Sequence, residues 1–464
     1  MGAIAAVFGG AENARTIVQE LLLALRHRGS IMRIAVAQEE SSTWAIGCLS
    51  NNGLETHFLE SERAVLAFDG SFFQQSNQVK FAQRHTRKRT VRDAARTLMS
   101  MPGEFAALGI LRGRLFAFRD LNGLKPLYCA GGRGRWAFAS ERKALWKIGL
   151  RNVERVPPDR LYSVDRHGIT RTGLGLIKRP RQRLISYEQA ASELTRLLKR
   201  SIRNVTAGID KVAVAFSGGL DSAVTAVLAK ETCETELVSV GLSGSPELST
   251  VDKYAHEINL PITIDAFEPD SLEDYVRRVV WLIEEPNLMK VSVAVPLHWA
   301  SMVAARRGFA VMLCGQGSDE LFGGYYKYAK TLDTNGRKVL VNELYRSVVD
   351  ASQVNYERDE QATAPSGVEL RTPFTNLDVI RFSLTIPSEY KVKAGNDLTR
   401  KWVLRSVAEV LGLPKDIAWR RKKAIQHGTG VENAIRKLAK AKNLTAESYL
   451  ASVHTEVRGM ESMP

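Results

Sequence analysis

The stretch AFSGGLDSAV, residues 215–224, decides the fold. An apolar run, KVAVAF, leads into it, and the helix-compatible DSAVTAVLAKE leads out. Gly218 and Gly219 allow positive φ and close approach of the backbone to a ligand. From Leu220 onward, the N–H groups of a first helical turn have no intrahelical partners. Strand, glycine corner and helix N-terminus together make an anion cradle at the carboxyl edge of a parallel sheet. Ser217 and Ser222 add hydroxyl donors to it. Asp221 is the informative residue, because a carboxylate beside phosphate needs a cation between them. Mg²⁺ is held by one or two carboxylates plus phosphate oxygens. The corner has neither the GxxxxGK[ST] order of a Walker loop nor the GxGxxG of a dinucleotide fingerprint.

Outward from this corner, apolar strands alternate with helices. ELVSVGL and FAVMLCG read as further strands, which predicts an α/β, doubly wound parallel sheet. Beyond about residue 325 the chain reads as mostly helical, and the patterning weakens after about residue 446. Upstream, SYEQAASELTRLLKRSIRNV is an amphipathic helix preceded by the polar, Pro-broken KRPRQRL. Before that, short apolar strands such as IAVAQ, TWAIGCLS, AVLAFDGSFF and RWAFAS are split by Gly-rich turns, with only two helical stretches. That pattern predicts an α+β layered sandwich. The expected organisation is a first domain over 1–178, a linker over 179–189, a second domain over 190–445 and a loose tail over 446–464.

At 464 residues the chain has room for two or three domains. It has no run of about 18 uninterrupted apolar residues, so no membrane span is expected. Cys48, Cys129, Cys233 and Cys314 lie far apart, without metal-ligand spacing. They suit a reducing, cytoplasmic setting. The formal net charge of +15 favours anionic partners, ATP and acidic metabolites among them, and admits RNA. The basic residues clump at Lys80–Arg92 and Lys178–Arg183. No aromatic interleaving strengthens an RNA reading.

The SGGxDS order resembles the pyrophosphate loop of N-type ATP pyrophosphatases, which cut ATP between the α and β phosphates. CGQGSDELFGGYYKY, from Cys314 to Tyr328, resembles the GEGSDEVFGGY stretch of asparagine synthetases. The resemblance continues in order through IEEPNLMKVSVAVP, NYERDE, GVELRTPF, KWVLR and AWRRKKAIQHGTG, covering about residues 190–435. It implies ATP and Mg²⁺ as cofactors, with Asp221 and Asp319 as metal ligands. It places Ser217, Gly218, Gly219, Leu220, Asp221, Ser222 and Gly315 around the phosphates, and Val240 and Leu242 beside the adenine. Lys422, with Lys423 next to it, would meet phosphate and transition-state charge. Glu284 would be the acidic residue of the acceptor pocket, with Glu285 as its competitor.

The first domain resembles the Ntn-hydrolase-like glutaminase of the same family, with faults. Active members begin Met-Cys-Gly; here the second residue is Gly2, which has no thiol to form an acyl-enzyme. FDGSFF resembles VNGEIYN, but Asp69 stands where Asn would offer an amide, and an anion there repels a developing oxyanion. The RLSIVD stretch that would hold the glutamine carboxylate is not found. RHRGS, DLNGLKPLYCA and FASERKAL do match.

The resemblance therefore implies an amide-forming ligase that adenylylates a carboxylate, most simply aspartate, and uses ammonia or an amine without hydrolysing glutamine. Alternatives are an intramolecular amide synthetase of the beta-lactam synthetase type, and an RNA-associated adenylylating or amidating enzyme. The first domain, freed of its chemistry, leaves sealing the synthetase, forming a homodimer and binding a partner open.

Overall fold

The computed structural model describes residues 2–9, 13–39, 42–51, 56–61, 64–73, 90–111, 113–132, 134–176, 178–245, 248–421 and 428–460. The chain forms two compact units, one of residues 1–178 with 458–464 and one of 179–457.

In the first unit, β1 (Gly2–Phe8), β2 (Ile31–Glu39), β3 (Ser42–Ser50), β4 (Thr56–Ser61), β5 (Ala64–Phe72) and β6 (Gly103–Leu111) are followed by β7 (Arg114–Arg119), β8 (Tyr128–Gly132), β9 (Arg135–Ala139), β10 (Glu154–Arg155), β11 (Arg160–Asp165) and β12 (Gly168–Gly173). They form two six-stranded sheets, in the orders β10-β8-β9-β1-β3-β2 and β12-β11-β7-β6-β5-β4. The pairings within both are antiparallel. The period-2 alternation of β1 sorts its side chains. Ile4, Ala6 and Phe8 enter the core between the sheets with Ile46, Val65, Leu108 and Leu115. Ala3, Ala5 and Val7 face the helix Ala14–Leu23, packing with Val18, Leu21 and Leu22. A full burial of each larger side chain contributes roughly 1.5–3 kcal/mol. This is the layered sandwich that the strand-and-turn pattern predicts.

In the second unit, β13 (Lys211–Ala215), β14 (Glu234–Leu242), β15 (Ile262–Phe267), β16 (Val311–Leu313) and β17 (Glu369–Arg371) form one sheet in the order β15-β14-β13-β16-β17. Every pairing in it is parallel. Successive strands add on one side of β13, and then the order reverses to β16 on the other. The crevice beyond the carboxyl ends of β13 and β16 is thus a topological switch point, where such sheets bind ligands. The helix Leu288–Arg306 is long and apolar enough to cross a membrane by length and composition, yet 72% of its apolar window is buried within the protein. It packs under the sheet through Leu297, Ala300, Val303 and Ala304.

Two expected boundaries move. The first long helix of this unit is Tyr187–Val205, so it begins inside the expected linker. Ser186 and Gln189 close a reciprocal capping box that fixes the start. The expected loose tail is corrected in part, because Ala446–Val457 is a helix. Tyr449, Leu450, Val453 and Val457 form its buried stripe, and Glu456 pairs with Arg277. Of the basic run Lys80–Arg92, residues 80–89 lie outside the described residues.

Candidate functional site

At the end of β13, the chain turns through Ser217 and Gly218 into the helix Leu220–Lys230. Gly218 has φ +64°, and a Cβ there would crowd Arg420 Nη1 and the Tyr254 ring at 2.8 and 2.9 Å. Arg420 donates to the Gly218 carbonyl at 2.9 Å and so holds the turn from outside. Inside the loop, Ser222 Oγ accepts from the Ser217 amide at 3.3 Å and donates to the Gly219 carbonyl at 3.1 Å. Gly219 caps the helix without any side-chain acceptor of its own. The helix N-terminus therefore presents main-chain donors, with Asp221 in its first turn.

The second loop follows β16. Gly315 permits the two loops to meet, since a Cβ on it would lie 2.7 Å from Asp221 Cβ. Gly317, at φ +90°, starts the short helix Ser318–Phe322, which carries Asp319. Ser318 Oγ donates to Asp221 Oδ1 at 2.7 Å. The structure thus brings together Ser217, Gly218, Gly219, Leu220, Asp221, Ser222, Gly315 and Asp319, as the sequence implies.

The residue that joins the two carboxylates is one that the motifs did not single out. Lys401 Nζ lies 2.6 Å from both oxygens of Asp221 and 2.5 Å from Asp319 Oδ1. Its side chain is 2% exposed. Lys401 is the first residue of KWVLR, and its sequence context looks like an ordinary helix entry. Two non-glycine residues in succession, Arg400 and Lys401, have positive φ of 50° and 56°. Such backbone is costly for side-chain-bearing residues and persists where its surroundings over-determine it. Here Asp397 does so, accepting from the amides of Lys393, Thr399 and Arg400 and from Trp402 Nε1. Burial alone would raise the Asp397 carboxyl, but these donors hold it below its usual range. Arg405, the last residue of KWVLR, is buried and donates to the carbonyls of Thr399, Arg400, Ala418 and Arg420. It ties the strained turn to the segment that braces Gly218.

Two carboxylates converging on one cationic nitrogen make a donor set that also fits a hard divalent ion. Among the described residues, no cluster of three or more His, Cys, Asp or Glu side chains suits a metal. A Mg²⁺ ion there would take two carboxylates from the protein and its other ligands from phosphate and water.

A cavity of about 590 Å³ runs from this clamp. Val238, Val240, Leu297 and Thr429 line it near β14, and Gln316, Glu320, Tyr325, Asn355 and Arg358 line it elsewhere. Val240 is a lining residue. Leu242 is not a lining residue; its amide donates to the Thr429 carbonyl at 3.1 Å. Glu320 is buried, and accepts from Tyr325 Oη at 2.6 Å and from Asn355 Nδ2 at 2.7 Å. Burial and the neighbouring Asp319 charge raise its carboxyl pKa. Glu284 is not among the lining side chains. It ends the helix Leu272–Ile283 with φ 59° and accepts from Gln361 Nε2 at 3.3 Å. Glu285 pairs with Lys290. Lys422 and Lys423 lie outside the described residues.

In the first unit, the residues that stand at glutaminase positions form an ionic knot. Arg28 donates from Nε to the Gly2 carbonyl at 2.7 Å, from Nη1 to Glu141 at 2.9 Å and from Nη2 to Asp69 at 3.3 Å. Lys143 and His27 also reach Glu141. Arg28, Asp69 and Glu141 are fully buried. Burial alone would raise the Glu141 carboxyl, but the charges of His27, Lys143 and Arg28 hold it well below its usual range.

A family model described as asparagine synthase matches residues 193–339 and 332–455. The chain is 34% identical over 372 aligned positions to an asparagine synthetase (glutamine-hydrolyzing) 1 of Methanocaldococcus jannaschii, covering 69% of this chain and 68% of that protein. It is 29% identical to asparagine synthetase (glutamine-hydrolyzing) 2 of Oryza sativa, over 68% of this chain and 55% of that one. It is 27% identical to asparagine synthetase B (glutamine-hydrolyzing) of Escherichia coli, over 67% and 58%. The chain thus spans little more than half the length of the rice and bacterial relatives.

Proposed function

The chain belongs to the asparagine synthase family, and we propose on that premise that it is an ATP-dependent amide-forming ligase. In this reading it adenylylates a carboxylate, most simply that of aspartate, and releases pyrophosphate. Ammonia or an amine then takes the acyl group. The observation that carries the reading is the meeting of Asp221 and Asp319, from two strand tips, on one cation at the switch point of the sheet.

The residues divide the work. The Ser217–Ser222 turn receives the β and γ phosphates on main-chain N–H groups and hydroxyls. Asp221 and Asp319 would hold a Mg²⁺ ion, which would supply positive charge to the departing pyrophosphate. The carboxylate oxygen attacks the α phosphorus as the bond to the β-phosphate oxygen breaks. Lys422 is assigned to the charge that builds there. Val240 borders the base. On the acceptor side, Glu284 is the residue the family pattern assigns to the amine, and Glu320 is the carboxylate on the cavity wall. An incoming ammonium must lose a proton before it attacks, and a buried carboxylate with a raised pKa is suited to take it. A cytoplasmic setting goes with this chemistry.

The nitrogen does not come from glutamine held by this chain. Gly2 has no thiol, Asp69 is engaged by Arg28, and the guanidinium occupies the ground between Gly2, Asp69 and Glu141. Incubation with ATP, Mg²⁺ and aspartate is expected to give amide with ammonium and no glutamate from glutamine. Glutamate formed in step with amide overturns the loss of glutaminase activity; ammonium-dependent amide without it supports the reading.

One observation favours a second reading, in which the amine already belongs to the substrate. Tyr325 Oη and Glu320 form a Tyr–Glu pair in the cavity wall. The beta-lactam synthetases named above carry such a pair near their closure site. Pyrophosphate release that needs a substrate bearing its own amine, and ignores ammonium, selects this reading.

A further inference from the structure

We infer that Lys401 and the divalent metal exclude one another from the Asp221–Asp319 clamp, so that the metal enters only together with a triphosphate. The inference rests on the site reading proposed above. It concerns the order of binding, which that reading leaves open.

The geometry comes first. Three carboxylate oxygens, both of Asp221 and one of Asp319, lie within 2.6 Å of Lys401 Nζ. Ser318 Oγ is a fourth oxygen at 3.2 Å. A Mg²⁺ ion binding these oxygens at about 2.0–2.1 Å would fall on the position of the ammonium. Two cations cannot share it. Neither can the ammonium withdraw freely, because the Lys401 side chain is almost fully buried.

Independent features show that the position is built. Arg400 and Lys401 both have positive φ, which turns the lysine stem toward the clamp. Arg400 Nε also donates to the Gly324 carbonyl at 3.0 Å. Gly324 itself has no room for a side chain, since a Cβ there would overlap Asp319 Oδ1 and Lys401 Cε. A strained turn, a steric cradle and three short ionic contacts all serve one nitrogen.

Charge explains the exchange. Asp221, Asp319 and Lys401 together carry one net negative charge. Metal alone would have to displace the ammonium into a buried setting without a counter-ion, which is costly. A triphosphate at the Ser217–Ser222 turn offers the ammonium a new anionic partner. The four-carbon stem of lysine can swing between the two. Lysine therefore holds the carboxylates together until nucleotide and metal arrive as one.

Manganese, a spin-active substitute for magnesium, tests this. Water-proton relaxation enhancement distinguishes protein-bound from nucleotide-bound Mn²⁺. Wild type with Mn²⁺ alone is expected to show no stoichiometric site, and one site per chain once a non-hydrolysable ATP analogue is added. Lys401→Met is expected to bind Mn²⁺ alone at least about tenfold tighter than wild type. Lys401→Arg, which keeps the charge, should not. One tight Mn²⁺ per wild-type chain without nucleotide overturns the inference, whatever the fate of the variants. Equal Mn²⁺ binding by folded Lys401→Met and wild type overturns it too. Pyrophosphate release by the wild type reports separately on the proposed reaction, so either idea can fail alone.

Discussion

Asp319→Ala is expected to lower ATP-dependent pyrophosphate release by about 10³-fold, and Asp221→Ala to do the same. Both carboxylates face a single cation, so removing either halves the negative charge that holds it. In the proposed reaction the departing pyrophosphate gains charge as the bond breaks, and a metal held by these two carboxylates would meet that charge. Asp319→Asn separates charge from shape, because the amide fills nearly the same volume. It should fall as far as the alanine variant. Thermal unfolding of each protein checks that the fold survives. Near-normal turnover by either folded alanine variant contradicts the assignment of the clamp.

The second large effect comes from a residue without a functional group. Gly324→Ala is expected to cut turnover by at least about 10²-fold while leaving the unit folded, because one methyl must displace either Asp319 or Lys401. The clamp depends on both, and a small misplacement of groups around a reacting phosphate is enough for that loss. Gly367→Ala is the comparison. Gly367, unlike Gly324, has positive φ, at 74°, and no atom stands within 4 Å of where its Cβ would be. It bears only the backbone strain, so its turnover should stay within a few fold of wild type. Steady-state pyrophosphate release on the two variants gives the contrast. Near-normal turnover by folded Gly324→Ala would show that crowding of Asp319 and Lys401 does not matter to the reaction.

Much of the clamp was legible because its parts are local. Ser217 to Ser222 and Gly315 to Asp319 each sit within one strand–turn–helix corner, where glycine, hydroxyl and carboxylate announce an anion site. The alternation of strands and helices likewise fixed a parallel sheet. What was missed depends on contacts across the chain. Lys401 meets Asp221 over 180 positions of sequence, and its left-handed backbone follows from Asp397 and Arg405, not from local propensity. The edge strands β15 and β17 escaped notice for different reasons. ITIDAF is only partly buried, and Glu369–Arg371 has three residues, too few to show a period. In the sequence, the helix at Ala446–Val457 reads as a loose tail. Its buried residues recur at helical spacing, but short polar side chains between them blurred the stripe.

In the proposed reaction a carboxylate attacks the α phosphorus of ATP at the Asp221–Asp319 clamp. Aspartate labelled with ¹⁸O in its side-chain carboxylate tests it most directly, by mass spectrometry of the nucleotide product after turnover with Mg²⁺ and ammonium. AMP carrying one ¹⁸O from the substrate, alongside unlabelled pyrophosphate, is the expected product. Formation of ADP, with the label in inorganic phosphate, would contradict it.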